Sequence, residues 1–155
     1  MAKTTIDGIA GLKALIGQEL GTTEWKPLTF ENIVAFADAT GDHQWIHVDK
    51  ERIARESPFK KPVAHGYFSL SVIGGLFFEL VRVTGMKLVI NYGLNKVRFP
   101  APLLEGQRYR LNCKLVDVKD IGNSTFESTM AAAVEIEGSP KPACAAELVF
   151  RFIAA

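Results

Sequence analysis

Gly66-Tyr67-Phe68-Ser69-Leu70-Ser71-Val72-Ile73-Gly74-Gly75-Leu76-Phe77-Phe78-Glu79-Leu80-Val81-Arg82-Val83 is the stretch that decides how this chain folds. Leu70, Ile73, Phe77, Leu80 and Val81 form one stripe at helical spacing, and Val72, Leu76 and Phe78 make other faces apolar too. The pattern predicts a long helix from Gly66 to about Val83, buried on most of its sides. Gly74-Gly75 lowers helix propensity at its middle. The expected use of that pair is close approach by another backbone or by a ligand. The run is too short for a membrane span and contains Glu79.

Beyond Gly85 the period changes. Lys87 to Phe99, Gly106 to Val118, Asn123 to Ile136 and Ala143 to Ile153 read as long strands. Tyr109, Leu111, Cys113 and Leu115 alternate with Arg108, Arg110, Asn112 and Lys114, and Leu148, Phe150 and Phe152 alternate with Glu147, Val149 and Arg151. Turn residues separate them at Pro100 to Pro102, Asp120 to Asn123 and Gly138 to Pro142. Helices first and consecutive strands afterwards indicate the α+β class. The simplest assembly is an antiparallel β-sheet wrapped around the one very apolar helix, each strand keeping a wetter face.

Upstream, Ile6 to Leu20 has mixed helical spacing, with Ile9, Leu12, Leu15 and Ile16 on one face and breaks at Gly17 and Gly21. Glu24 to Leu28 reads as extended, because Lys26 precedes Pro27. Thr29 can cap a clear helix carrying Phe30, Ile33, Val34 and Ala37, which Gly41 ends. Asp42 to His47 then falls on the loop beyond it. Asp49 can cap a second short helix, Lys50 to Glu56.

The 155 residues make one domain, 1–155, large enough for a real core. A formal net charge of +1 argues against nucleic acid as the main partner. No secretory signal is visible, since Asp7 and Lys13 interrupt the apolar residues and no cleavage site follows. The expectation is a cytoplasmic protein. Cys113 and Cys144 lack metal-ligand spacing and read as two buried free thiols, with a disulfide as the competing reading.

The chemistry concentrates in Gly41-Asp42-His43-Gln44-Trp45-Ile46-His47 and Pro62-Val63-Ala64-His65-Gly66. Asp42 and His47 can move protons, and the Gly66 N–H at a helix start can hold an oxyanion. Each has a plainer reading. Asp42 can form an Asx turn after a helix-ending glycine, His47 can be a packed or surface histidine, and Gly66 can simply ease entry to the helix. His43 and His47, with Asp42 or His65, could instead hold a metal, although Gly41-Asp42 favours a turn and no glutamate stands in a zinc-protease position. His43 otherwise faces solvent or packs, and Trp45 and Ile46 fix the loop by packing. No nucleophile elbow, Walker motif or Rossmann glycine pattern is present.

These two motifs, with Asn95-Lys96-Val97-Arg98-Phe99-Pro100-Ala101-Pro102, closely resemble the MaoC-like (R)-specific enoyl-CoA hydratases over roughly residues 28–118. The resemblance implies a hot-dog fold, a homodimer, catalysis by Asp42 and His47, and a Gly66 N–H that holds the thioester oxygen. Gln44 and Trp45 stand where the common pattern has Asn and Pro, as in a subgroup similar to nodulation protein N. Gly74 replaces a serine that some members carry. The implied activity is addition of water to a trans-2-enoyl-CoA, giving the (R)-3-hydroxyacyl-CoA, with no metal or redox cofactor. The rivals are a hot-dog acyl-CoA thioesterase and a non-catalytic acyl-CoA-binding protein of the nodulation type. Lys60, Lys61, Lys96 and Arg98 are candidates for the CoA phosphates; ordinary solvated charge is the alternative. Neither a nucleic-acid partner nor a membrane is expected.

Overall fold

A computed structural model describes residues 3–155. In chain order the elements are β1 (Thr4–Ile6), α1 (Gly8–Ala14), β2 (Glu19–Thr22), β3 (Lys26–Pro27), α2 (Phe30–Thr40), α3 (Trp45–Val48), α4 (Lys50–Glu56), α5 (Gly66–Leu80), β4 (Val81–Val83), β5 (Met86–Arg98), β6 (Arg108–Asp120), β7 (Thr125–Ile136) and β8 (Cys144–Ala154). The main sheet is antiparallel with strand order β2-β6-β7-β8-β5, and β3 also pairs with β6. β1 and β4 form a separate parallel pair.

The long helix and four long strands match the expected hot-dog architecture. Phe68, Ile73, Leu76, Phe77 and Leu80 of α5 join one core with the inward residues of the sheet. Those include Leu111, Cys113 and Leu115 of β6, Met130 and Val134 of β7, and Leu148, Phe150 and Phe152 of β8. Period-two alternation explains this: the outward partners Arg110 and Arg151 form ion pairs with Glu135 and Glu127 across the strands. Full burial of a side chain such as Phe77 stabilises by about 1.5–3 kcal/mol. Both cysteines are buried and free, with burial pushing Cys113 up to about 12 and Cys144 up to about 11, so neither is a ready thiolate.

Several local expectations are corrected. The N-terminal helix is only Gly8–Ala14, flanked by β1 and β2, because Gly17 adopts a positive φ of 82° and the chain turns into the sheet. α5 stops at Leu80 and the chain continues as β4, where Val81 and Val83 suit a strand. The helix is also less enclosed than its composition suggested, since Tyr67 and Phe78 remain exposed. A Cβ at Gly74 or Gly75 would meet nothing within 4 Å, so among the described residues no other segment's backbone approaches the glycine pair. α2 and α4 form as read. Thr29 and Asn32 make a reciprocal capping box, Gly41 ends α2 in the left-handed region, and Asp49 accepts from the Arg52 N–H.

Candidate active site

Two short segments converge beside the N-terminus of α5. The first begins where Gly41, at φ 77°, terminates α2 and turns the chain. Asp42 follows, exposed, its Oδ1 accepting the Gln44 N–H at 3.3 Å. The Asx-turn reading of Asp42 is therefore present together with its place in the site. His47 does not lie on the loop: it belongs to the one-turn helix α3 and is buried. The second segment, Val63 to Gly66, is pinned by Ile46 O accepting the Val63 N–H at 3.3 Å and Leu103 O accepting the Ala64 N–H at 2.8 Å.

The segments are tied through side chains. His47 Nδ1 lies 2.6 Å from Val63 O. A carbonyl can only accept, so Nδ1 carries the proton and Nε2 keeps its lone pair. His65 Nε2 lies 2.9 Å from the backbone oxygen of Asp42, and the two imidazoles stack with centroids 3.7 Å apart and planes at 22°. Ligand-capable atoms of Asp42, His47 and His65 all come within 4.8 Å of one another. A water between a carboxylate and an imidazole lone pair fits such a grouping.

Burial pushes His47 below the ordinary imidazole range, and His65 adds to that; the Val63 carbonyl and the Asp42 charge pull the other way. His43 points elsewhere, exposed and paired with Asp38 at 2.7 Å. Trp45 is half-buried beneath the Arg52 guanidinium, 4.4 Å from its ring centroid, and Ile46 is half-buried, which suits their packing role.

Gly66 is the first residue of α5, so its N–H belongs to the first turn, where helix donors lack intrahelical partners and the dipole favours negative charge. Packing is also close there. A Cβ would stand 3.0–3.2 Å from three atoms of the Phe99 ring.

The four candidate phosphate ligands are not gathered in one place. Lys96 and Arg98 border an open groove on the sheet with Lys114, Glu135 and Glu147. The Lys60 ammonium donates to the carbonyls of Ala54 and Arg55, each at 3.2 Å, at the end of α4. Lys61 lies beside Gly106. The sequence alone offers His65 only as an added metal ligand. Its place between Val63 and Gly66 was the available signal, but its stacking on His47 required the fold.

Residues 12–136 match the profile of the MaoC like domain. The chain is 49% identical over 150 residues to 3-hydroxyacyl-thioester dehydratase Z of Mycobacterium tuberculosis, covering 97% of this chain and 99% of that protein. It is 39% identical over 142 residues to nodulation protein N of Rhizobium leguminosarum bv. viciae, covering 91% and 88%. Among solved structures, the (R)-hydratase from A. caviae involved in PHA biosynthesis superimposes with a TM-score of 0.69 at 20% identity, covering 87% of this chain and 94% of that one. That likeness establishes the hot-dog fold.

Proposed function

The chain belongs to the MaoC-like dehydratase family and is an enzyme of its hydratase/dehydratase type, and from that premise we propose that it interconverts a trans-2-enoyl-CoA and the (R)-3-hydroxyacyl-CoA. The observation that supports the reading is the grouping of Asp42, His47 and His65 within 4.8 Å, with His47 Nδ1 held on Val63 O and Gly66 following His65 as the first residue of α5. Asp42 and His47 hold the water. Its oxygen bonds to C3 of the enoyl chain while a proton passes to C2. Negative charge builds on the thioester oxygen, and the Gly66 N–H with the α5 dipole stabilises it. Dehydration runs the same steps backwards, which agrees with the thioester named for the mycobacterial relative. Asp42 and His47 approach from one side of the site, so addition is syn.

The proposed unit is a single domain acting as a homodimer. β5 is one edge of the main sheet, and Leu88, Ile90, Tyr92 and Leu94 along it are exposed. With Tyr67 and Phe78 of α5 they leave an apolar face that a second copy would cover. Among the described residues no helix is long and apolar enough to cross a membrane. Lys96 and Arg98 are the better-placed candidates for the CoA phosphates, because the Lys60 ammonium already caps α4.

Hydration of crotonyl-CoA and longer enoyl-CoAs in heavy water tests the assignment. The expected product has the syn configuration at C2 and C3 and resists an (S)-specific 3-hydroxyacyl-CoA dehydrogenase. Anti addition, or rapid oxidation by that dehydrogenase, would overturn the stereochemical reading. Release of free CoA thiol without hydration would mark thioesterase chemistry instead.

A further inference from the structure

The geometry points to His65 as a positioning residue that sets Asp42, His47 and the oxyanion donor relative to one another. The inference rests on the hydratase reading given above. The Gly66 N–H belongs to the peptide that joins His65 to Gly66, so the backbone of His65 is built into the oxyanion site. Its side chain reaches both members of the proton-transferring pair. Nε2 sits 2.9 Å from the backbone oxygen of Asp42 and its ring stacks on His47 at 3.7 Å.

Three further observations make this more than a packed histidine. His65 is 3% exposed, and Phe36 of α2 also contacts its ring, with centroids 5.1 Å apart at 50°. α2 is the helix whose end delivers Asp42, so one ring links that helix to the catalytic turn. Nε2 is 4.0 Å from Asp42 Oδ2 but 2.9 Å from the backbone oxygen. His65 therefore holds Asp42 by its backbone and leaves the carboxylate free to meet water. Finally, Nδ1 is buried with no hydrogen-bond partner among the described residues. The Asp42 carbonyl needs a donor, so the proton is on Nε2 and Nδ1 holds a bare lone pair. His47 has the opposite tautomer, with Nδ1–H on Val63 O. The stacked pair thus has a defined proton arrangement, which fixes the face that His47 presents to the water.

A misplacement of about 1 Å at a reacting group can cost about 10²-fold in rate. His65→Phe keeps a ring beside His47 but loses the donor to Asp42, and His65→Gln keeps an N–H donor but loses the ring. The expected results are a fall in kcat of about 10²-fold for the Phe variant, with KM within about threefold, and partial recovery in the Gln variant by about tenfold. Both variants within about threefold of wild-type kcat, or Gln no better than Phe, would overturn the inference. Neither a failure of these variants to fold nor an absence of hydratase activity leaves it untested. Nitrogen-15 histidine NMR of the wild-type protein should show His65 as the Nε2–H tautomer with a slowly exchanging proton, and His47 as the Nδ1–H tautomer. His65 found as Nδ1–H would refute the positioning role, whereas both tautomers as expected in a protein that hydrates no enoyl-CoA would sink the hydratase reading alone.

Discussion

Gly66→Ala should fold and lose activity, for a reason that a second substitution can undo. The added Cβ would stand 3.0 Å from Cδ2, 3.1 Å from Cγ and 3.2 Å from Cε2 of Phe99. Comfortable carbon–carbon separation is about 3.5–4.0 Å, so the ring or the start of α5 must yield by roughly half an ångström. Overpacking costs about 1–3 kcal/mol, and the low end applies because Phe99 is 42% exposed and can swing outward. Gly66 opens the helix rather than sitting in its interior, so no propensity gain is counted and net stability should fall by about 1 kcal/mol. The chemistry is less forgiving. Complete loss of an oxyanion donor costs about 10²–10³ in kcat, so partial displacement of the Gly66 N–H should cost about ten- to a hundredfold. Adding Phe99→Ala removes the obstacle and should restore about tenfold, a coupling of about 1.4 kcal/mol between the two positions. The assay is kcat on an enoyl-CoA with Tm measured alongside, for all four members of the cycle. Wild-type kcat in Gly66→Ala would refute the oxyanion placement, and an impaired variant that Phe99→Ala fails to rescue would refute the steric route.

His47 is held below the ordinary imidazole value, mainly by burial, so kcat/KM for hydration should fall on acidification only below about pH 6.5; an acid limb above that, absent from His47→Gln, would contradict the assignment. The same lowering means that the unfolded chain binds the proton first as pH falls through about 6.5, so His47 reduces stability below that pH and leaves it unchanged above, which unfolding midpoints in His47→Gln and wild type compare directly. Gly74 lies about 12 Å along α5 from Gly66, bordering a cavity of about 160 Å³ with Leu70, Asn91 and Leu94. Gly74→Leu, with open space for its side chain, should lower kcat/KM for long enoyl chains at least about tenfold relative to crotonyl-CoA, and an unchanged chain-length profile would place the acyl chain elsewhere. A phosphate contact by Lys96 or Arg98 should make KM for the CoA thioester salt-sensitive; unchanged KM in Lys96→Ala and Arg98→Ala would leave both as ordinary surface charge.

Much of the fold was legible because its signals are local. The Thr29 cap, the Gly41 stop and the Asp49 cap work through their immediate neighbours, and each occurs where its residue stands. Alternation along β6 and β8 reports a half-buried sheet directly. Elements decided by tertiary partners were less legible. The helical pattern read to Leu20 stops at Ala14, and Glu19 and Leu20 join β2 against β6 instead, while composition around α5 suggested more burial than one chain supplies. In the site, the spacing of Asp42 and His47 is visible in the sequence, but the one-turn helix that carries His47 is not. The His65 stack depends on two segments nearly twenty residues apart being brought ring to ring. The orphaned Nδ1 of His65 and the contact of Phe99 with Gly66 likewise exist only once the chain has folded.

The most direct test of the account is the rate at which purified protein consumes trans-2-enoyl-CoA, read as loss of enoyl absorbance, for wild type, Asp42→Asn and His47→Gln. Removing one general acid or base typically costs about 10²–10⁴-fold, and Asp42 is exposed, so that variant at least should keep its fold. Wild type should hydrate the substrate rapidly, and both folded variants should show a loss of that size. A folded variant of either kind that turns over as fast as wild type would contradict it.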